Sequence, residues 1–435
     1  MTKDLRVNSD RMLDSFNRLA LIGATGNSGV NRPTFSEADI AARKWFREEV
    51  ERARLEFRTD GAGNHSAILP VIASPEGAKQ SPNREGIATS PSGLLAMTHK
   101  TLILGSHLDS VPNGGRFDGA LGVVAALEVL RTVKENGIRL KVNLEAMDFT
   151  DEEGTLVGLL GSAAISGHLR QKDLDSPRGG RENLVEGMKR AGLSDESMLS
   201  AARPRESFAG YLELHIEQGK RLERAGINIG IVSAIVGIGS YRLSFIGRAD
   251  HAGTATMEDR LDASQGASAF ALMARELVMK KFEGCVVNTG KMDFAPGAFN
   301  IVPARVDVAL EFRSPTAADF DKLEAALIAL AREQAERFGL ELKIEFLGKH
   351  SPTPMNDIAQ QAFASACDGL GLTHIPLTSG AGHDAQSLAD LCPVGMIFVP
   401  SLDGASHSPR EFTKWEDCVN GANVLLQAGL KLAAE

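Results

Sequence analysis

Cysteine is scarce in this chain. There are four in 435 residues, Cys285, Cys367, Cys392 and Cys418, and none forms a C-x-x-C pair. That excludes a disulfide-stapled scaffold and a thiolate metal centre, and the four read as reduced packing thiols. Aromatic residues make up only 5%, too few for platforms that stack single-stranded nucleic acid. No strong basic run occurs and the formal net charge is −9, which argues against a phosphate-backbone ligand. No apolar run approaches the roughly 20 residues of a membrane span. The polar, mixed-charge start, MTKDLRVNSDRML, has no signal-peptide core. The expectation is a cytoplasmic protein that engages neither nucleic acid nor membrane.

What is present is length and alternation. A chain of 435 residues is too long for one ordinary core and fits two domains. Residues 8–23 have helical periodicity, and Ser36 is placed to cap a helix through Ala53. A short strand near Leu55–Arg58 leads to a turn at Asp60–Asn64. Residues 72–98, rich in Ser, Pro and Gly, read as an exposed loop or hairpin. Strands at Thr101–His107, Leu140–Phe149 and Tyr211–Glu217 then alternate with helical segments, as do Ile358–Leu370, Met396–Pro400 and Trp415–Leu432. This pattern predicts an α/β fold, with a mixed, largely parallel sheet flanked by helices. Between them, residues 237–346 follow the order β-α-β-β-α-β of a ferredoxin-like α+β domain. The expected layout is therefore one domain built from 1–236 and 347–435, with 237–346 inserted in it.

Potential metal ligands cluster just after apolar strands. His107 closes TLILGSH, and Asp118 ends the glycine-rich loop that follows. Glu152 and Glu153 follow LEAMDFTD, His215 lies in YLELHIEQG, and His407 follows MIFVPSLDGAS. Strand ends that share one sheet edge converge in space. Imidazole and carboxylate are borderline ligands that suit zinc, manganese or cobalt. Each residue also has a plainer reading: Asp109 as a loop turn, Glu152-Glu153 as carboxylates favoured at a helix N-terminus.

Six separated motifs, GSHLDSVPNGGRFDGALGV, FTDEEG…GS, LHIEQG, HAGT, FNIVP…FRS and SGAGHDA…GASHS, resemble the hydantoinase/carbamoylase branch of the zinc aminoacylase and carboxypeptidase superfamily. That branch includes N-carbamoyl-L-amino acid hydrolases, β-ureidopropionases and allantoate amidohydrolases. The resemblance covers nearly the whole chain, in order. It implies a di-metal exopeptidase-like fold, an inserted lid that forms a homodimer, and two divalent ions (Zn, Mn or Co) per subunit. It further implies that Asp118 bridges both ions, that His107 and His215 complete one site, and that Glu153 and His407 complete the other. Glu152 would be the general base. Asp109 would orient His107, and a cis peptide would follow Asp118. His251, in RADHAGT, would reach the neighbouring subunit's site and polarise the scissile carbonyl. Asn300 and Arg313 would hold the substrate carboxylate. Gln218 and the turn Gly380, Ala381 and Gly382 would make further substrate contacts, and His383 and Asp384 would shape the pocket without binding metal.

The chain departs from the branch in four places. Ala255-Thr256-Met257 follows HAG-Thr254, Leu156-Val157 stand where Arg-Phe is common, Lys220 replaces a frequent Pro, and the 72–98 insertion is long. None of these falls on an expected ligand. The expected reaction is hydrolysis of the carbamoyl or ureido C–N bond of a small carboxylate such as an N-carbamoyl-L-amino acid. The alternatives are an allantoate amidohydrolase, a β-ureidopropionase, or an aminoacylase or dipeptidase.

Overall fold

A computed structural model describes residues 4–71 and 99–434. The 72–98 segment, read above as a loop or hairpin, lies outside the described residues. Strands are numbered in chain order. They are β1 (Glu56–Thr59), β2 (His65–Leu69), β3 (Thr101–His107), β4 (Asn143–Phe149), β5 (Phe208–Ile216) and β6 (Ile229–Ile235). Then come β7 (Gly237–Ile246), β8 (Val286–Ala295), β9 (Arg305–Ser314), β10 (Glu341–His350), β11 (Thr353–Pro354), β12 (His374–Ser379) and β13 (Val394–Val399). The chain divides into two units, residues 1–233, 355–377 and 383–435, and residues 234–354 and 378–382.

The first unit is α/β. Its sheet runs β1-β2-β4-β3-β5-β13-β6, with β12 also on β6. The centre is parallel: β4 with β3, β3 with β5, and β5 with β13. The antiparallel hairpin β1–β2 adds to one side, across the turn in which the Asp60 carboxylate accepts the amides of Ala62 and Asn64. All seven residues of β3 are buried, as its apolar character on both faces requires. Helix Ala120–Glu135 packs on β3, β4 and β5 and is buried without a break from Ala120 to Val133. Helix Ser9–Ala20 packs against it, and helix Trp415–Ala434 packs beside it on β3, β5 and β13. Gly122 permits this close approach, since a Cβ there would meet the Leu214 carbonyl oxygen at 2.6 Å. Each fully buried leucine of this layer, Leu121 and Leu127 among them, contributes about 1.5–3 kcal/mol. The one deep carboxylate on this helix, Glu128, is answered by the Arg11 guanidinium at 2.6 Å.

The second unit has an antiparallel sheet in the order β10-β7-β9-β8. Helices Ala263–Lys281 and Ala317–Arg337 pack on one face of it. Alternation fixes that face. Val306, Val308, Leu310 and Phe312 share one parity of β9, and all are buried with Leu243, Phe245, Phe270 and Phe320. The elements follow the order expected for 237–346. Strand β8 is an edge strand.

Four strands go beyond the sequence reading: β2, β6, β11 and β12. β11 is two residues long, β2 five and β12 six, and β6 sits in a mostly apolar run, IGIVSAI, whose period does not separate strand from helix.

Candidate metal centre

Parallel strands end on one edge, so the residues that follow β3, β4 and β13 emerge beside the end of β5. His107, the last residue of β3, lies opposite Phe149, the last residue of β4. His215 of β5 lies opposite Phe398 of β13. Two groups of donor atoms form there, each within 4.8 Å: His107, Asp118 and His215, and Asp118, Glu153 and His407. Asp118 belongs to both. Its Oδ1 is 3.0 Å from His215 Nε2 and 3.7 Å from His107 Nε2, and its Oδ2 is 3.3 Å from His407 Nε2. His407 Nε2 is also 3.4 Å from Glu153 Oε2. Glu152 is adjacent, with Oε2 3.5 Å from His107 Nε2.

Backbone carbonyls set both buried imidazoles. His107 Nδ1 donates to the Asp109 carbonyl and His215 Nδ1 to the Ile216 carbonyl, each at 3.0 Å. In the neutral form of each ring, the form that binds a cation, Nε2 then carries the lone pair. His107 Nε2 is buried and makes no hydrogen bond among the described residues. A buried acceptor without a partner costs roughly 1–3 kcal/mol, and a cation between these donors removes that cost. The nitrogen and oxygen donor set thus fits zinc, manganese or cobalt.

Electrostatics match a site built around positive charge. Burial pushes Glu153 up to about 7, and the neighbouring Asp118 adds to this. Burial also raises Glu152 well above the usual carboxylate range, against the opposing pull of His107. Asp118 feels the same burial, but hydrogen bonds from His215 and His407 outweigh it and hold its carboxyl well below the ordinary range. The hydrogen bond to Asp118 raises His407 to about 9.

The loops are held by Asp109 together with residues the sequence reading did not single out. Asp109 takes His107 Nδ1 on its carbonyl, while its carboxylate stands 3.6 Å away. That carboxylate instead accepts the amides of Glu152 and Glu153 at 3.2 and 3.3 Å. Thr34 Oγ1 lies 3.1 Å from Asp109 and 2.8 Å from Asp151. Asp151 in turn accepts the amides of Leu156, Val157 and Gly158. The buried Arg32 guanidinium donates to the Leu108, Leu19 and Ile22 carbonyls. Nothing in a polar N-terminal loop signalled Arg32 or Thr34. Glu213 was within reach, because it shares strand parity with His215. It accepts from Ser106 Oγ at 2.9 Å and Tyr211 Oη at 3.0 Å. Asp151, Gln218 and His407 all have positive φ, near 50–55°, a conformation that costs about 1–3 kcal/mol each and clusters at functional loops.

Other expected site residues lie elsewhere or are engaged differently. Gln218 Nε2 donates to Asp118 Oδ2 at 2.8 Å. His383 and Asp384 are buried in the first unit. The His383 ring is 4.6 Å from that of His215, and Glu213, His215 and His383 form a third donor group. His251, Asn300, Arg313 and Gly380–Gly382 belong to the second unit. There Arg313 pairs with Glu311 at 2.7 Å and donates to the Gly380 carbonyl.

One expectation is overturned. The peptide after Asp118 is trans, since the cis bond among the described residues is Ala295–Pro296. The chain turns instead at Gly119, with φ 62° and ψ −50°. The Ala120 amide donates to the Asp118 carbonyl at 2.6 Å, which makes a γ-turn. A Cβ on Gly119 would fall 2.4 Å from His107 Cε1 and Nε2. Gly119→Ala is therefore expected to displace that ring and weaken metal uptake by roughly 10–100-fold. Competition with a chromophoric chelator measures this, and wild-type affinity would show that the ring has room to move.

The model of Peptidase family M20/M25/M40 matches residues 103–431. The chain is 35% identical over 430 residues to the N-carbamoyl-L-amino acid amidohydrolase of Geobacillus stearothermophilus, covering 98% of this chain and 99% of the relative. It is 31% identical over 422 residues to the allantoate amidohydrolase of Bacillus subtilis, covering 95% of each. A crystal structure of a hydantoinase/carbamoylase-family amidase from Burkholderia multivorans superposes with a TM-score of 0.86 at 30% identity, covering 99% of both chains.

Proposed function

The chain belongs to Peptidase family M20/M25/M40, and on that premise we propose that it is a metal-dependent amidohydrolase cleaving the carbamoyl C–N bond of an N-carbamoyl-L-amino acid. The observation that carries this is the pair of donor groups sharing Asp118, with Glu152 beside His107. In this reading His107, His215 and Asp118 hold one divalent ion, and Asp118, Glu153 and His407 hold a second. Bound there, the ions supply Lewis-acid polarisation of the carbonyl and lower the pKa of water. Glu152 takes the proton from the attacking water and gives it to the leaving nitrogen. Its raised pKa supports both transfers, because a carboxyl titrating above its usual range holds a proton longer. Asp109 keeps Glu152 in reach through the backbone amide.

Arg313 and Asn300 are assigned to the substrate carboxylate, and Gln218, Gly380, Ala381 and Gly382 to further contacts. The bond from Arg313 to the Gly380 carbonyl supports grouping these two stretches. His251 is assigned to the scissile carbonyl, supplied by a neighbouring subunit. Residues 237–346 act as lid and dimerisation domain. The edge strand β8, exposed Val286 and Phe294, and exposed Leu272 and Met279 on helix Ala263–Lys281 support a homodimer through this unit, since open edges and apolar patches recruit partners. Four free, buried cysteines support a reducing cytoplasm. Among the described residues, no helix is long and apolar enough to cross a membrane.

The deciding experiment supplies metal-reconstituted enzyme with N-carbamoyl-L-amino acids, β-ureidopropionate, allantoate and N-acyl-amino acids in parallel. The first class should turn over fastest, with release of ammonia and carbon dioxide. Preference for allantoate or β-ureidopropionate would move the assignment within the branch. Carboxylate release from N-acyl substrates alone would make the protein an aminoacylase.

A further inference from the structure

Glu411 has no place in the proposed chemistry, yet it is the point where two ligand loops meet. It lies four residues after His407 and its side chain is buried. Its Oε1 accepts the amides of Phe117 and Asp118 at 2.8 and 3.0 Å. Its Oε2 is 3.0 Å from Ser406 Oγ, which is also 3.1 Å from Asp118 Oδ2. One carboxylate thus touches the backbone of the residue common to both donor groups and the neighbour of His407. A shift of Glu411 moves the Asp118 loop and the His407 loop together.

The second glycine of the pair in the first loop, Gly115, has its reason here. A Cβ on Gly115 would fall 2.0 Å from the Glu411 carboxyl carbon and Oε1. Gly115 has no positive φ, so its backbone would admit a side chain. The three atoms such a side chain would meet first all belong to the Glu411 carboxylate. The loop is thus shaped to receive that carboxylate.

We propose that Glu411 is a positioning residue that fixes the bridging carboxylate of Asp118 relative to His407, with Gly115 as the socket for its carboxyl group. The proposal rests on the reading of Asp118 as a metal ligand. It acts through geometry, so its first consequence is metal affinity. Outer-shell partners of this kind alter affinity by roughly 10–100-fold when removed.

The test is Mn2+ and Zn2+ titration of the metal-free, full-length protein against a chromophoric chelator, with thermal melting of the same metal-free samples. Glu411→Ala should weaken metal binding by roughly 10–100-fold. Gly115→Ala should do the same, although it leaves Glu411 chemically intact. The double variant should bind no more weakly than either single one, because the alanine at 115 then fills space the carboxylate has left. Glu411→Gln should stay within a few-fold of wild type, since its amide oxygen still accepts both amides and its nitrogen can donate to Ser406.

Wild-type affinity in Glu411→Ala overturns the proposal, and so do losses that multiply in the double variant. A fall in metal-free melting temperature with affinity unchanged also overturns it, in favour of a purely structural role. Should Glu411→Ala fail to fold, the comparison of Glu411→Gln with Gly115→Ala decides: affinity kept in the first and lost in the second supports the proposal, and the reverse refutes it. Wild-type protein that binds no metal would instead sink the metal-centre reading itself.

Discussion

Glu152→Gln is expected to lower kcat by roughly 10^2–10^4-fold while leaving metal content near wild type. Glutamine keeps the shape and the backbone amide bond to Asp109, but it cannot take a proton from water. Glu152 Oε2 is 3.5 Å from His107 Nε2, so the opposing outcome is well defined. Metal lost together with activity would make Glu152 a ligand. Turnover within a few-fold of wild type would remove it from the chemistry. The same variant tests the assignment of His251. Mixed with His251→Ala subunits, it should recover part of the activity if His251 serves the partner's site, because one composite site per heterodimer is intact. No recovery after verified subunit exchange would place His251 in its own subunit's site.

Prolonged incubation with excess chelator should bring activity below detection, and Mn2+, Co2+ or Zn2+ should restore it. Full activity under chelation would end the metal mechanism. The response should depend on pH in a stated direction. In the metal-free protein Glu153 titrates at about 7 and His407 at about 9. Both must lose a proton to bind a cation, so affinity should rise with pH through these values, with protons released. Stability of the metal-free form runs the other way. Both groups have folded pKa values above their unfolded ones. Their contribution is complete below the unfolded values, about 4.3 for Glu and 6.5 for His. It is lost as pH rises through about 7 and about 9. The gap in melting temperature between metal-loaded and metal-free protein should therefore widen from pH 6 to pH 9, and calorimetry at several pH values measures it. A gap that narrows would mean that other groups control binding.

Much of this was legible in sequence because the relevant signals are local. The parity of Val306, Val308, Leu310 and Phe312 reads as a strand with one buried face, and these residues are buried. The run TLILGSH reads as a buried strand because Leu102, Ile103 and Leu104 place apolar side chains on both faces, and all seven of its residues are buried. Ser36 accepts the Asp39 amide as a helix cap should. What stayed hidden is non-local. Thr34 meets Asp109 and Asp151 across spans of 75 and 117 residues, and Glu411 meets Asp118 across 293. No period or turn signal marks such pairs. The γ-turn at Gly119 was hidden for another reason: a glycine announces conformational freedom, not which rare conformation it adopts.

The placement of β13 bears on how the protein is made. This strand is among the last elements of the chain, yet it lies between β5 and β6. A nascent chain on the ribosome therefore carries β5 and β6 for well over a hundred residues before the strand that joins them exists. Until then the centre of the sheet is a gap with two open edges, exposed to mispairing. His407 emerges later still, so a newly made chain has all but one of the six residues proposed for the metal centre long before the last of them exists.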